Sequence, residues 1–290
     1  MIPPADRLPV GRFEVIRLLD GTFRVDGGAM FGVVPRTLWA SKAAPDNENR
    51  ITLALNCYLV RTPEANVLLD TGVGPDVGRR HSDFYSFDRR PGLFESLAEL
   101  GLAPGAIDIV VNSHLHFDHC GGNTLKTAAG TWEPAFPRAR YVVQKGEWEQ
   151  ALAPVGRDKP SYRPARLKAL AESGRLTLLD GNGSIAPGLE AVLVAGHTAF
   201  HMGVRASSAG RTFFYAADAV PTSAHIGLDS IMSYDLYPVE TFESKKALLG
   251  RAEAEDWVLG FSHDLAVPFG RLVRSGKRLD VAAALRPEND

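Results

Sequence analysis

The stretch Ser113-His114-Leu115-His116-Phe117-Asp118-His119-Cys120-Gly121-Gly122-Asn123 crowds three of the chain's eight histidines and an aspartate into six positions, 114–119. Imidazole nitrogen and carboxylate oxygen are borderline and hard donors, a mixture that suits Zn²⁺, Fe²⁺, Mn²⁺ or Co²⁺. Water on such an ion loses a proton near neutral pH and becomes a nucleophile, and the ion polarises a carbonyl or phosphoryl oxygen. A lactone, ester, thioester or phosphotriester offers the electrophile this chemistry needs. Gly121 and Gly122 permit close backbone approach behind the cluster. Cys120 reads as a small buried thiol packing behind the loop, not as a ligand.

Such a cluster needs a rigid element to aim it. The apolar run at 107–111 (IDIVV) predicts a short buried strand that feeds directly into it. Residues 51–60 and 66–70 read as paired strands joined by a turn at 61–65. Further strands are expected at 140–144, 189–195, 212–217 and 257–261, and a hairpin over 269–281 turning at Ser275-Gly276. Helical spacing marks 93–100, a short helix through Trp148, 164–173 and the long pattern 239–255. Strands and helices interleave, which predicts an α/β architecture with helices covering sheet faces. Residues 40–50 read as a polar surface loop, and residues 27–39 (GGAMFGVVPRTLW) as an apolar, glycine-rich loop.

The chain has 290 residues, 45% hydrophobic and 23% charged, which is ordinary for a globular protein. With no repeat and no linker, residues 1–290 are read as one domain. The formal charge is −2, so there is no overall basic field to hold a nucleic acid. Cys57 and Cys120 form no CxxC pair, which points away from a zinc knuckle and fits a reducing cytoplasm. The sequence shows neither a signal peptide nor a membrane-length apolar run. A soluble, cytoplasmic protein acting on a small molecule is expected, with no nucleic-acid or membrane partner. The oligomeric state stays open, a homodimer included.

The motif H-x-H-x-D-H resembles the signature of the metallo-β-lactamase superfamily of hydrolases. Further landmarks of that family follow in order. Asp70-Thr71-Gly72 resembles its early D-T-G element. Gly196-His197 resembles its second histidine, Asp218 its bridging aspartate, and His263 in Gly260-Phe-Ser-His-Asp264 its last histidine. The resemblance implies an αββα sandwich of two mixed sheets flanked by helices, with the site at one edge. It further implies two divalent ions, zinc foremost, with Mn, Fe or Co as alternatives. His114, His116 and His197 would hold one ion; Asp118, His119 and His263 the other; Asp218 would bridge them. A bridging water or hydroxide would be the nucleophile, and Asp118 would pass a proton to the leaving group. His201 then reads as a supporting residue, because the first ion is already full. His81 and His225 read as surface residues, with His225, soon after Asp218, a second candidate for lining the cleft.

Within that family, HLHFDHCGGN and the C-terminal long helix followed by Gly-Phe-Ser-His-Asp are most similar to acyl-homoserine lactonases and to organophosphate-degrading enzymes. The pattern departs at Pro221, where lactonases carry a tyrosine three residues after the bridging aspartate. Tyr215, Tyr234 and Tyr237 lie nearby, but none matches by position. Met30, Phe31 and Trp39, with Phe117 inside the motif, are the substrate-pocket candidates, and they imply a substrate with an apolar portion. The function expected is therefore metal-dependent hydrolysis of a lactone or ester. Phosphotriester cleavage, glyoxalase II-like thioester hydrolysis and a non-enzymatic ligand-sensing role are the alternatives. His116, where diiron reductases of this fold place glutamate, argues against a redox enzyme.

Overall fold

The protein is described from a computed structural model covering residues 6–154, 156–276 and 278–284. One seven-stranded sheet holds β1 (Arg7–Val10), β2 (Phe13–Asp26), β3 (Arg50–Arg61), β4 (Asn66–Leu69), β5 (Ile109–Val111), β6 (Arg140–Gln144) and β7 (Leu176–Leu179), side by side in that order. Pairing is antiparallel from β1 to β4 and parallel from β4 to β7. A second seven-stranded sheet holds β8 (Gly183–Ala186), β9 (Leu189–Leu193), β10 (Met202–Ser208), β11 (Arg211–Ala217), β12 (Val258–Phe261), β13 (Phe269–Ser275) and β14 (Arg278–Ala283). Only β11 and β12 run parallel there. The helices are α1 (Gly27–Phe31), α2 (Arg36–Trp39), α3 (Arg79–Tyr85), α4 (Leu93–Glu99), α5 (Phe117–Cys120), α6 (Lys145–Leu152), α7 (Pro164–Glu172) and α8 (Pro238–Ala254).

Alternation along the strands builds the layers. Tyr58 and Val60, Val67 and Leu69, Ile109 and Val111, and Val142 face Phe213, Tyr215, Ala217 and Val258 of the second sheet. Their neighbours Cys57, Leu59, Leu68, Val110, Tyr141 and Val143 turn the other way, onto Leu93, Leu97, Trp148, Leu167 and Leu170 of α4, α6 and α7. Phe214, Ala216 and Leu259 likewise face Leu248, Leu249 and Ala252 of α8. The result is helix, sheet, sheet, helix, the expected αββα sandwich. Strands buried on both faces read as unbroken apolar runs, which is why β3, β5 and β11 are legible in the sequence.

Several elements differ from the sequence reading. The strand expected at 107–111 begins only at Ile109. The 14-residue β2 and the whole of β10 carry weaker patterns and are additional elements. In β2 the register slips between Leu19 and Thr22, which interrupts the alternation. The apolar stretch at 27–39 is not a loop but two short helices. Asp26 starts α1 by accepting from Ala29 N at 2.8 Å, and Gly32 ends it at φ 56°. Among the described residues no helix is long and apolar enough to cross a membrane.

Candidate metal centre

Five loops meet at one edge of the sandwich, following β4, β5, β9, β11 and β12. They bring the seven sequence-predicted ligand residues together. His114, His116 and His197 form one group whose candidate ligand atoms all lie within 4.8 Å of one another, and Asp118, His119 and His263 form another. His114, His119 and Asp218 make a third group that joins them. Asp218 faces both sides: Oδ1 is 3.2 Å from the Nε2 of His119 and of His263, and Oδ2 is 3.4 Å from His197 Nε2. Six of the seven are buried; Asp118, 16% exposed at its side chain, reaches the cleft.

The outward nitrogen of each histidine is held, which decides what the inward one can do. His119 Nδ1 lies 2.8 Å from Asp70 Oδ2, and His197 Nδ1 lies 2.8 Å from Asp235 Oδ1. His263 Nδ1 donates to Ala54 O at 2.8 Å, and His114 Nδ1 lies 3.0 Å from Ser113 Oγ. His116 is turned the other way round, with Nε2 3.0 Å from Asp158 Oδ1 and Nδ1 facing His197 Nε2 at 3.1 Å. A neutral imidazole has one donor and one acceptor nitrogen, so these partners leave the inward nitrogens as lone-pair donors. His114 Nε2 is fully enclosed and has no hydrogen-bond partner; His116 Nε2 has Asp158 Oδ1 at 3.0 Å and His119 Nε2 has Asp218 Oδ1 at 3.2 Å, both outside hydrogen-bond geometry. A buried nitrogen left unpaired costs free energy unless something binds it. The donor set and these orphaned nitrogens therefore fit divalent metal ions.

The electrostatics of the protein groups agree. Burial and the neighbouring histidines hold His114 well below its ordinary range, so it stays neutral. Burial opposes a charge on His197 too, but Asp218 and Asp235 outweigh it and raise the group to about 9. Burial would push Asp218 up, yet His119, His263 and His197 hold it well below the usual carboxylate range. The site is a stabilised anion among imidazoles, poised to exchange protons for cations.

Of the residues that brace the ligands, sequence reasoning named Asp70, in the D-T-G element, and His201, and missed Glu147, Asp158 and Asp235. Asp70, at φ 55°, accepts from Ser113 N, Ser113 Oγ and Tyr215 OH besides holding His119. Glu147 is fully buried on α6; it accepts from Leu115 N at 2.9 Å, Tyr162 OH at 3.0 Å and Thr198 Oγ1 at 2.7 Å. It thus ties the His114–His116 loop to the His197 loop. His201 is buried and neutral, accepting from Asp218 N through Nε2. Asp158 and Asp235 carry no sequence signal, since a lone aspartate far from the motif looks like any other. Cys120 is buried, with Sγ donating to Leu115 O at 3.3 Å.

Above the centre opens a cleft of about 850 Å³, mouth included, lined by Phe23, Val25, Met30, Leu53, Tyr85 and Phe117 on its apolar side. Of the four pocket candidates, Met30 and Phe117 line this cleft. Phe31 and Trp39 do not reach the cleft. They stack at 5.2 Å behind it, and Phe31 stacks on His225 at 4.4 Å. His225 is correspondingly not a surface residue: it is fully buried, 2.7 Å from Thr222 Oγ1 and 3.0 Å from Met30 O. Although position 221 is proline, the cleft has phenols, because Tyr85 and Tyr234 both line it. Burial raises both, Tyr234 to about 12, so each remains a hydroxyl donor at neutral pH.

Residues 51–263 match the family model described as the Metallo-beta-lactamase superfamily, and the chain belongs to that family. It is an enzyme of the metal-dependent hydrolase class. Among curated relatives, the N-acyl homoserine lactonase of Bacillus thuringiensis is 25% identical over 228 residues, covering 74% of this chain and 83% of that protein. The match to the Bacillus cereus N-acyl homoserine lactonase, 26% identical, spans 53% of this chain and 58% of that protein's length. Among solved structures, a probable metal-dependent hydrolase from Staphylococcus aureus superposes with TM-score 0.87 at 27% identity, covering 96% of this chain and all of that one. A dizinc quorum-quenching lactonase, solved with its N-hexanoyl homoserine product, superposes with TM-score 0.81 at 21% identity over 97% of this chain and 98% of that one.

Proposed function

We propose that this chain is a dinuclear metal-dependent hydrolase that opens a lactone or ester carrying an apolar arm. The single observation that carries the reading is the division of Asp218's two oxygens between two histidine groups, at the floor of an apolar cleft. His114, His116 and His197 would hold one ion, and Asp118, His119 and His263 the other, with Asp218 between them. When bound, the ions supply a water of lowered pKa and Lewis-acid polarisation of the carbonyl oxygen. Zinc is the metal favoured by this histidine-rich set.

The protein's own part is binding, orientation and proton handling. Asp118 Oδ2 lies 3.7 and 3.8 Å from His119 and His263, and the residue lines the cleft. From there Asp118 takes a proton and returns it to the departing alkoxide. Tyr85 or Tyr234 donates a hydrogen bond to an oxygen of the substrate. Met30 and Phe117 receive the apolar arm, and each buried methylene contributes about 0.8 kcal/mol, or up to about fourfold in affinity. The buried free thiols Cys57 and Cys120 fit a reducing cytoplasm.

The test is a substrate panel on zinc-loaded protein: lactones and esters of increasing alkyl length, a phosphotriester and a thioester. We expect kcat/KM to be highest for lactones and esters and to climb with chain length. Efficient cleavage of only the phosphotriester or only the thioester would reassign the substrate and leave the metal reading in place.

A further inference from the structure

The segment Gly156–Ser161 forms one wall of the cleft and sends two consecutive side chains to it, Arg157 and Asp158. Asp158 is 6% exposed, and its Oδ1 lies 3.0 Å from His116 Nε2. Its Oδ2 accepts from Gln150 Nε2 at 3.3 Å, so α6 aims the carboxylate. Arg157 Nη2 donates to the backbone carbonyl of Asp235, the residue whose carboxylate holds His197. Adjacent residues thus grip, one directly and one through Asp235, two histidines of the same group. The inward nitrogens of that pair, His116 Nδ1 and His197 Nε2, face each other at 3.1 Å. The other group is braced from elsewhere: Asp70 holds His119, and the Ala54 carbonyl holds His263.

We propose that Arg157 and Asp158 are positioning residues that form a clamp on His116 and His197, setting the affinity of one metal site and leaving the other untouched. The proposal rests on the dinuclear reading above. His116 can offer Nδ1 to an ion only if its proton sits on Nε2. A carboxylate 3.0 Å from Nε2 favours the proton on that nitrogen by its charge, which leaves Nδ1 as the lone-pair donor, and losing such a partner costs 10–100-fold in metal affinity. Arg157 acts one bond further away, on the backbone that carries Asp235, so its loss has the smaller effect.

The experiment uses the full chain loaded with Zn²⁺, and in parallel with Co²⁺ for its visible spectrum. Wild type, Asp158→Ala, Asp158→Asn and Arg157→Ala are titrated with a chelator, and metal per chain is followed by elemental analysis. Wild type should hold two ions. Asp158→Ala should release one of them at roughly 10–100-fold lower chelator strength and keep the other at wild-type affinity, with a changed Co²⁺ spectrum. Arg157→Ala should weaken the same ion by less. Asp158→Asn, whose amide oxygen keeps a partial negative charge beside Nε2, should weaken that ion clearly less than Asp158→Ala does. Loss of both ions together, or of neither, in Asp158→Ala overturns the clamp, as does failure of Asp158→Asn to rescue. Wild-type protein that takes up no metal brings down the dinuclear reading itself, and the clamp with it; the wild-type control separates the two failures.

Discussion

Asp218 faces histidines on both of its oxygens, and Ser262 Oγ donates to Oδ1 at 2.9 Å to hold it there. On the dinuclear reading, replacing it by alanine would remove the anion shared by two cations and leave their repulsion unscreened. Asp218→Ala should lose at least one ion per chain in elemental analysis and most of its activity; two retained ions would show that another group bridges. A second residue-scale contrast separates lining from support. Met30 lines the cleft, whereas Trp39 is 2% exposed in the layer behind it. Met30→Ala should flatten the dependence of kcat/KM on alkyl length at modest cost in stability. Trp39→Ala should cost about 3–5 kcal/mol in chemical denaturation, because its large buried side chain leaves a cavity. Equal effects of the two variants on chain-length dependence would place Trp39 on the cleft after all.

At the scale of elements, the centre depends on two loops whose backbones touch. A Cβ on Gly121 would sit 2.1 Å from Val73 O, and one on Gly72, at φ 64°, would sit 2.4 Å from Asp20 Oδ2. The 71–74 loop cannot retreat. Asp20, fully buried, accepts from Val73 N, Gly74 N and Leu93 N and pairs with Arg89 at 2.6 Å. Gly121→Ala should therefore push the histidine loop away from its support, lowering stability by about 1–3 kcal/mol and weakening metal uptake. A variant with wild-type melting and metal content would mean that the loops can slide apart. Lys245 plays a comparable part on α8: Nζ donates to His225 O at 2.9 Å and Ser230 O at 2.7 Å, which pins the stretch leading to Met232 and Tyr234.

Over the whole molecule, buried neutral histidines couple stability to pH. Burial, aided by Lys245, depresses His225 from 6.5 to about 3, and burial does the same to His201. The unfolded chain binds protons at these groups below about pH 6.5, while the folded chain refuses them until about pH 3. Their stabilising contribution is complete above pH 6.5 and is lost as the pH falls through that window, by about 1.4 kcal/mol per unit for each group. Urea unfolding between pH 7 and 4.5 should show this slope, reduced in His225→Gln; an unchanged slope would mean that His225 is protonated in the fold.

The sandwich, and the seven residues that the fold brings together at one edge, were legible in the sequence. H-x-H-x-D-H is local, so six positions suffice to write it, and strands buried on both faces announce themselves as apolar runs. His197, Asp218 and His263 were legible only through their resemblance to the family's landmarks, taken in order after H-x-H-x-D-H. Tertiary structure alone decided what stands behind and above them. Glu147, Asp158 and Asp235 meet the histidine loops across up to 51 positions of sequence, and no period or spacing encodes such a meeting. It also decided that Met30 faces the cleft while Phe31 faces away. Within a five-residue helix that orientation follows from where the helix docks, and its docking is set by Trp39, His225 and the neighbouring sheet.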